Sequence, residues 1–120
     1  MKKAIALAAL LALPLTNALA ADCVVHIKRT ACAGQEAESY KKCDGKQECD
    51  TQETAASEAE CSKAASKHCD NSRTDITKYK VVTATFKGAA LTGGFAADGK
   101  ADAKGANFCA ADRPDLNKCK

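Results

Sequence analysis

The chain has 120 residues, 18 basic and 15 acidic side chains, eight cysteines, and a formal net charge of +3. That near balance excludes the basic excess that a nucleic-acid or anionic-membrane binder uses to neutralise phosphates, and no segment reaches the roughly 20 apolar residues of a membrane-spanning helix. Few large apolar side chains against so many cysteines describe a domain that its core alone would struggle to stabilise.

Residues 1–20 read as an export signal. Lys2 and Lys3 precede an apolar run over residues 4–13, Pro14 breaks it, and Ala18, Leu19 and Ala20 place small residues at minus three and minus one. Cleavage after Ala20 leaves residues 21–120 as a single disulfide-stapled domain, periplasmic or secreted. Asp22 stands where a bacterial lipobox needs a small residue before Cys23, so no lipid anchor is expected. Without Lys2 and Lys3 the balance falls to +1, with acids concentrated over residues 36–60 and bases over residues 63–120.

Residues 23–28 alternate as a strand, with Cys23, Val25 and Ile27 on one side. Residues 35–43 are good helix formers, stopped by Asp44 and Gly45. A second helix is expected from an Asp50 cap, with Glu53 three residues on, through an Ala-, Glu-, Ser- and Lys-rich interior to Lys67 and His68, closed by Asn71. Cys61, Ala65 and Cys69 then fall on one stripe. Joined through residues 44–48, the two would make an antiparallel helical hairpin. Its widely spaced cysteines resemble twin-cysteine hairpin proteins in architecture, although the spacings differ between the two helices.

Residues 78–87, rich in β-branched and aromatic side chains, form a second strand that pairs with the first. Its faces carry Tyr79, Val81, Thr83 and Thr85 against Val82, Ala84 and Phe86. The glycine-rich residues 88–107 read as a long turn or mobile loop with a short hairpin at Gly93 and Gly94. The tail from Phe108 is tied by Cys109 and Cys119, with Pro114 setting a turn. The expected fold is therefore a small disulfide-rich α+β domain, a helical hairpin packed on a short β-sheet.

Cys23, Cys32, Cys43, Cys49, Cys61, Cys69, Cys109 and Cys119 contain no CxxC pair, which argues against a thioredoxin-like centre, a zinc ribbon or covalent haem. An even count in an exported chain implies four disulfides, although eight cysteines allow 105 pairings. A hairpin would favour a bridge at Cys43 or Cys49 near its loop and one from Cys32 to Cys61 further out.

Chemistry-bearing constellations are sparse. Cys23, His26, His68 and Cys69 would make a competent zinc or copper set if they converged, but in an oxidising compartment the two cysteines are more simply disulfide sulfurs and His68 a charge at a helix end. Asp98, Asp102 and Asn107 lack the acids of an EF-hand loop and read as a solvated turn. There is no G-x-S-x-G, no H-E-x-x-H and no phosphate loop ahead of a helix. We expect no enzyme, metal or cofactor. The leading expectation is a non-catalytic binding or interaction module with an envelope or extracellular partner. The alternatives are an envelope metal-binding or thiol-redox protein using the Cys/His set, and a small structural or protective protein.

Overall fold

The computed structural model describes residues 22–70, 73, 75–110 and 119. The expected signal segment, Asn71 and Pro114 lie outside them. Strand β1, Cys23–Ala31, buries alternate residues, Cys23, Val25, Ile27 and Arg29. It pairs antiparallel with β2, Glu48–Glu53, on one side and with β3, Thr77–Phe86, on the other. The short β4, Ala89–Ala90, completes a four-stranded sheet in the order β2-β1-β3-β4. Lys87 and Gly88 join β3 to β4 at φ of 52° and 83°, the left-handed pair that a two-residue hairpin turn requires.

The register places Cys23 opposite Phe86, Val25 opposite Ala84 and Ile27 opposite Val82. Directly opposed residues share a face, so the buried halves of β1 and β3 form one apolar surface. The expected pairing of these strands is present. Helix α2, Glu58–Lys67, lies across that surface and buries Cys61 and Ala65 against it.

The helical hairpin does not form. Residues 48–53, expected to lead into a long second helix from Asp50, are strand β2, whose Cys49, Thr51 and Glu53 are partly buried while Glu48, Asp50 and Gln52 are exposed. Pairing with β1 satisfies backbone groups that would otherwise be an open edge, and this tertiary gain outweighs a weak local helix preference. The helix begins instead at Ser57, whose Oγ accepts from the Glu60 amide at 3.2 Å while Glu60 accepts from the Ala56 amide at 2.8 Å, a variant of the reciprocal cap. The expected first helix shrinks to one turn, α1, Glu36–Ser39, followed by a 3₁₀ turn, Lys41–Cys43. It cannot extend back to Cys32, whose amide continues the sheet by donating to Ile76 O. Asp44 and Gly45 do terminate it, both in left-handed conformation.

Four disulfides join Cys23 to Cys61, Cys32 to Cys119, Cys43 to Cys49 and Cys69 to Cys109. Bridging near the loop occurs, but between Cys43 and Cys49 themselves. The expected Cys32 to Cys61 link is replaced by bonds that fasten β1 to α2 and to the C-terminal tail. Such a framework fits an oxidising extracellular compartment. Among the described residues, no helix is long and apolar enough to cross a membrane.

The glycine-rich stretch is a hydrogen-bonded platform rather than a free loop. Gly93 and Gly94 both donate to Gly105 O, and Phe95 and Asn107 exchange both backbone bonds at 3.0 Å. At Gly93 a Cβ would run into the Asn107 carbonyl, and at Gly105 into that of Phe95, so the chains approach as only glycine allows. Asp98 and Asp102 each accept from the backbone amide two residues on, as turn formers do. The platform closes over the outer edge of β3, where Phe108 donates to Val82 O.

Candidate anion-binding cleft

Helix α2 covers the end of the sheet nearest Cys23 and stops short of the other. Beyond its last turn, the inner face of β1 and β3 continues to Arg29 and Lys80, and segment 39–43 roofs it from the far side through a Ser39 to Thr77 hydroxyl bond of 2.7 Å. Between these two walls lies a cleft of about 400 Å³, floored by Ile27 and Arg29 and rimmed by Lys42, Lys67, His68 and Asp70. A smaller lobe of about 90 Å³ adjoins it and shares Arg29, Lys42, Asp70 and Lys80.

Arg29 follows Cys23, Val25 and Ile27 in the inward alternation, and it is only 7% exposed. Its Nη1 donates to Cys43 Sγ at 3.1 Å, and disulfide sulfur is a weak acceptor for a group with five donors. Among the described residues no carboxylate comes within ion-pair distance of it. Directly opposite on β3 stands Lys80, so two cations face each other on the inner side of the sheet, an arrangement that is destabilising by itself.

The Lys80 ammonium donates to His68 O at 3.0 Å and Asp70 O at 2.8 Å, meeting carbonyls left over where α2 ends. Burial, reinforced by the charges of Arg29 and Lys42 and opposed in part by Asp70, pushes its pKa down to about 8. Burial also draws Arg29 below its ordinary value, although a guanidinium stays charged throughout the physiological range. The cleft is thus a concentration of positive charge that its own carboxylates do not neutralise.

The Cys/His set weighed from sequence as the alternative to plain disulfide sulfurs is not assembled. Cys23 is fully buried in its bond to Cys61, and Cys69 is bonded to Cys109. His26 points from the opposite face of β1, and His68 pairs with Glu53 at 2.7 Å on the wall of the cleft. No group of three or more His, Cys, Asp or Glu among the described residues is placed to hold a metal ion.

His26 instead bridges Asp50 at 2.6 Å and Glu48 at 2.7 Å on the outer face of the sheet. The Asp50 hydrogen bond, aided by that of Glu48 and opposed by burial, holds its pKa above the ordinary value of 6.5. The favourable contribution of the pair is therefore full below the unfolded pKa, and it fades as pH rises from there through the raised folded value. A proton NMR titration of His26 should show a midpoint above 6.5 that falls more in Asp50→Asn than in Glu48→Gln; an unshifted midpoint in Asp50→Asn would contradict the assignment.

Arg29, Lys42 and Lys80 were not singled out from sequence. The signal was present in part, since an arginine at an inward position of an alternating strand and a lysine in register with Val82, Ala84 and Phe86 both break the apolar pattern. No protein-family model matches the chain, and no curated protein or solved structure is significantly similar to it.

Proposed function

We propose that this is an exported, non-catalytic binding module whose ligand enters the cleft between α2 and segment 39–43. The observation that carries this reading is Arg29, a charge sequestered at the floor of a concave site with no acidic partner among the described residues, where a structural role alone would leave a desolvation penalty uncompensated. The four-disulfide framework supports a place in the periplasm or outside the cell, with residues 1–20 acting as the signal that takes the chain there. Among the described residues His26 and His68 pair with carboxylates, and neither is paired with a hydroxyl or thiol nucleophile in the manner of a catalytic base, which favours binding over hydrolysis.

Intact mass analysis of protein exported by a bacterial host should give a chain beginning at Ala21 and eight hydrogens lighter than its reduced mass, one for each cysteine. Amide NMR spectra of that protein, titrated with a soluble envelope extract, should then show saturable shifts clustered around Arg29, Lys42 and Lys80. A chain retaining Met1, or shifts confined to the outer face of the sheet, would overturn the reading.

A further inference from the structure

We propose that the cleft recognises a phosphoryl group, seated where its two lobes meet between Arg29, Lys42 and Lys80. The proposal rests on the binding-module reading above and names the chemistry of its ligand. Three cations converge on this junction, and among the described residues Asp70 is the one carboxylate that lines both lobes. Over both lobes the lining carries Arg29, Lys42, Lys67, Arg73 and Lys80 against Glu38, Asp50 and Asp70, and five positive charges less three negative leave a local excess of two, which matches a dianion rather than a single carboxylate. Arg29 offers a planar fork of N–H donors of which only one has a partner among the described residues, and the two ammonium groups act as point charges beside it. This combination of guanidinium and ammonium donors is the usual one for phosphate recognition.

The lobes differ in a way that suits such a ligand. The smaller, of about 90 Å³, has room for one tetrahedral oxyanion. The larger, of about 400 Å³, opens beside it between Ile27, Thr51 and His68, and accepts whatever the phosphoryl group is attached to. A bound dianion would also relieve the Arg29 and Lys80 repulsion across the strands, so the apolar end of the sheet and the charged end become parts of one stable design.

Lys80 supplies a pH signature. It is faced by Arg29 from β1, Lys42 from the 3₁₀ turn, and Asp70 and the His68 carbonyl beyond α2. Its ordinary lysine value is depressed to about 8, so its charge is lost as pH rises above that value. Binding should therefore weaken over a range in which phosphate remains dianionic.

The test is titration of the exported, oxidised protein with inorganic phosphate at low ionic strength, read by amide shifts, with sodium chloride at matched ionic strength as control. Saturable shifts at Arg29, Lys42 and Lys80 are expected with phosphate alone. They should weaken about tenfold in Lys42→Gln, an exposed position that spares the fold, and about tenfold again in Arg29→Met. Affinity at about pH 8, where inorganic phosphate is already dianionic, should exceed that at about pH 9.5, where the Lys80 ammonium has lost its proton. Co-sedimentation with phosphatidylglycerol vesicles, competed by phosphate and lost in Lys42→Gln, would identify a lipid headgroup as the source; phosphate binding without co-sedimentation would identify a soluble phosphorylated ligand. Identical responses to chloride, or phosphate binding unchanged in both variants, would overturn the proposal. If the envelope extract shifts the cleft but phosphate does not, the phosphoryl ligand fails while the binding module stands; if neither does, both fail.

Discussion

Replacing Cys23 and Cys61 together by Ala should lower the stability of the oxidised protein by about 4 kcal/mol, the chain-entropy value for a loop of this length. The two cysteines are 38 residues apart and both are fully excluded from solvent at the centre of the core. The bond does two things at once. It restrains the unfolded chain over a long loop, and it links β1 to α2 within the buried cluster that also holds Val25, Val82 and Ala65. The Cys43 to Cys49 bond spans only six residues, and the same relation gives about 2.2 kcal/mol for its removal. Urea unfolding under non-reducing conditions should rank the two double variants in that order. In a domain of this size the difference between parent and Cys23/Cys61 variant corresponds to a fall in Tm of roughly 15 to 30 °C. Cys61→Ser alone should cost about 2 kcal/mol or more, since it also leaves a buried hydroxyl beside an unpaired thiol. Equal midpoints for the two double variants would mean that the core, not the bridge, fastens α2 to the sheet.

What the sequence made legible was what local pattern controls. The alternation of Cys23, Val25 and Ile27, and that of Val82, Ala84 and Phe86, each specify a buried face, and a strand with one buried face has one register. Cys61 and Ala65 lie one helical turn apart, so their burial followed from the same reasoning. The helical hairpin failed because residues 48–53 carry helix-compatible side chains whose period-two burial becomes visible only once β1 is placed beside them. Local propensity amounts to tenths of a kcal/mol per residue, and a row of ladder hydrogen bonds to β1 exceeds it.

The cleft was illegible for a related reason. Lys42 and Lys80 are 38 positions apart in the chain, and only the fold sets both beside Arg29. A lysine in a strand reads as a solvated side chain until the register with β1 puts an arginine directly across from it. The disulfide pairing was likewise a matter of topology. Cys32 had no reason in sequence to prefer Cys119 over Cys61, whereas in the fold β1 delivers Cys32 to the tail and Cys23 to the helix.

Asn107→Leu should destabilise the fold by about 3 to 5 kcal/mol, because one side chain satisfies a set of buried and half-buried groups. Asn107 is 2% exposed. Its Oδ1 accepts from the amides of Val82 and Cys109, both at 3.0 Å, and its Nδ2 donates to Ala96 O and Cys109 O, both at 2.9 Å, and to the Tyr79 hydroxyl at 3.1 Å. One amide thus ties β3, the glycine-rich platform and the segment carrying the Cys69 to Cys109 bond. Leu keeps the branching and the number of side-chain heavy atoms, so no cavity opens; the loss is of hydrogen bonds, with added crowding where methyl groups replace atoms held at 2.9 Å from carbonyl oxygens. The Asn107→Asp substitution keeps the two acceptor bonds but turns carboxylate oxygen toward the Ala96 and Cys109 carbonyls, and it should also be strongly destabilising. Hydrogen exchange separates the two. In Asn107→Leu the Val82 amide should lose protection, whereas in Asn107→Asp that amide keeps its acceptor and the damage should appear first around Ala96. A loss under about 1 kcal/mol for Asn107→Leu, with Val82 still protected, would show that buried water replaces the side chain and that the platform is held by its backbone bonds to β3 alone.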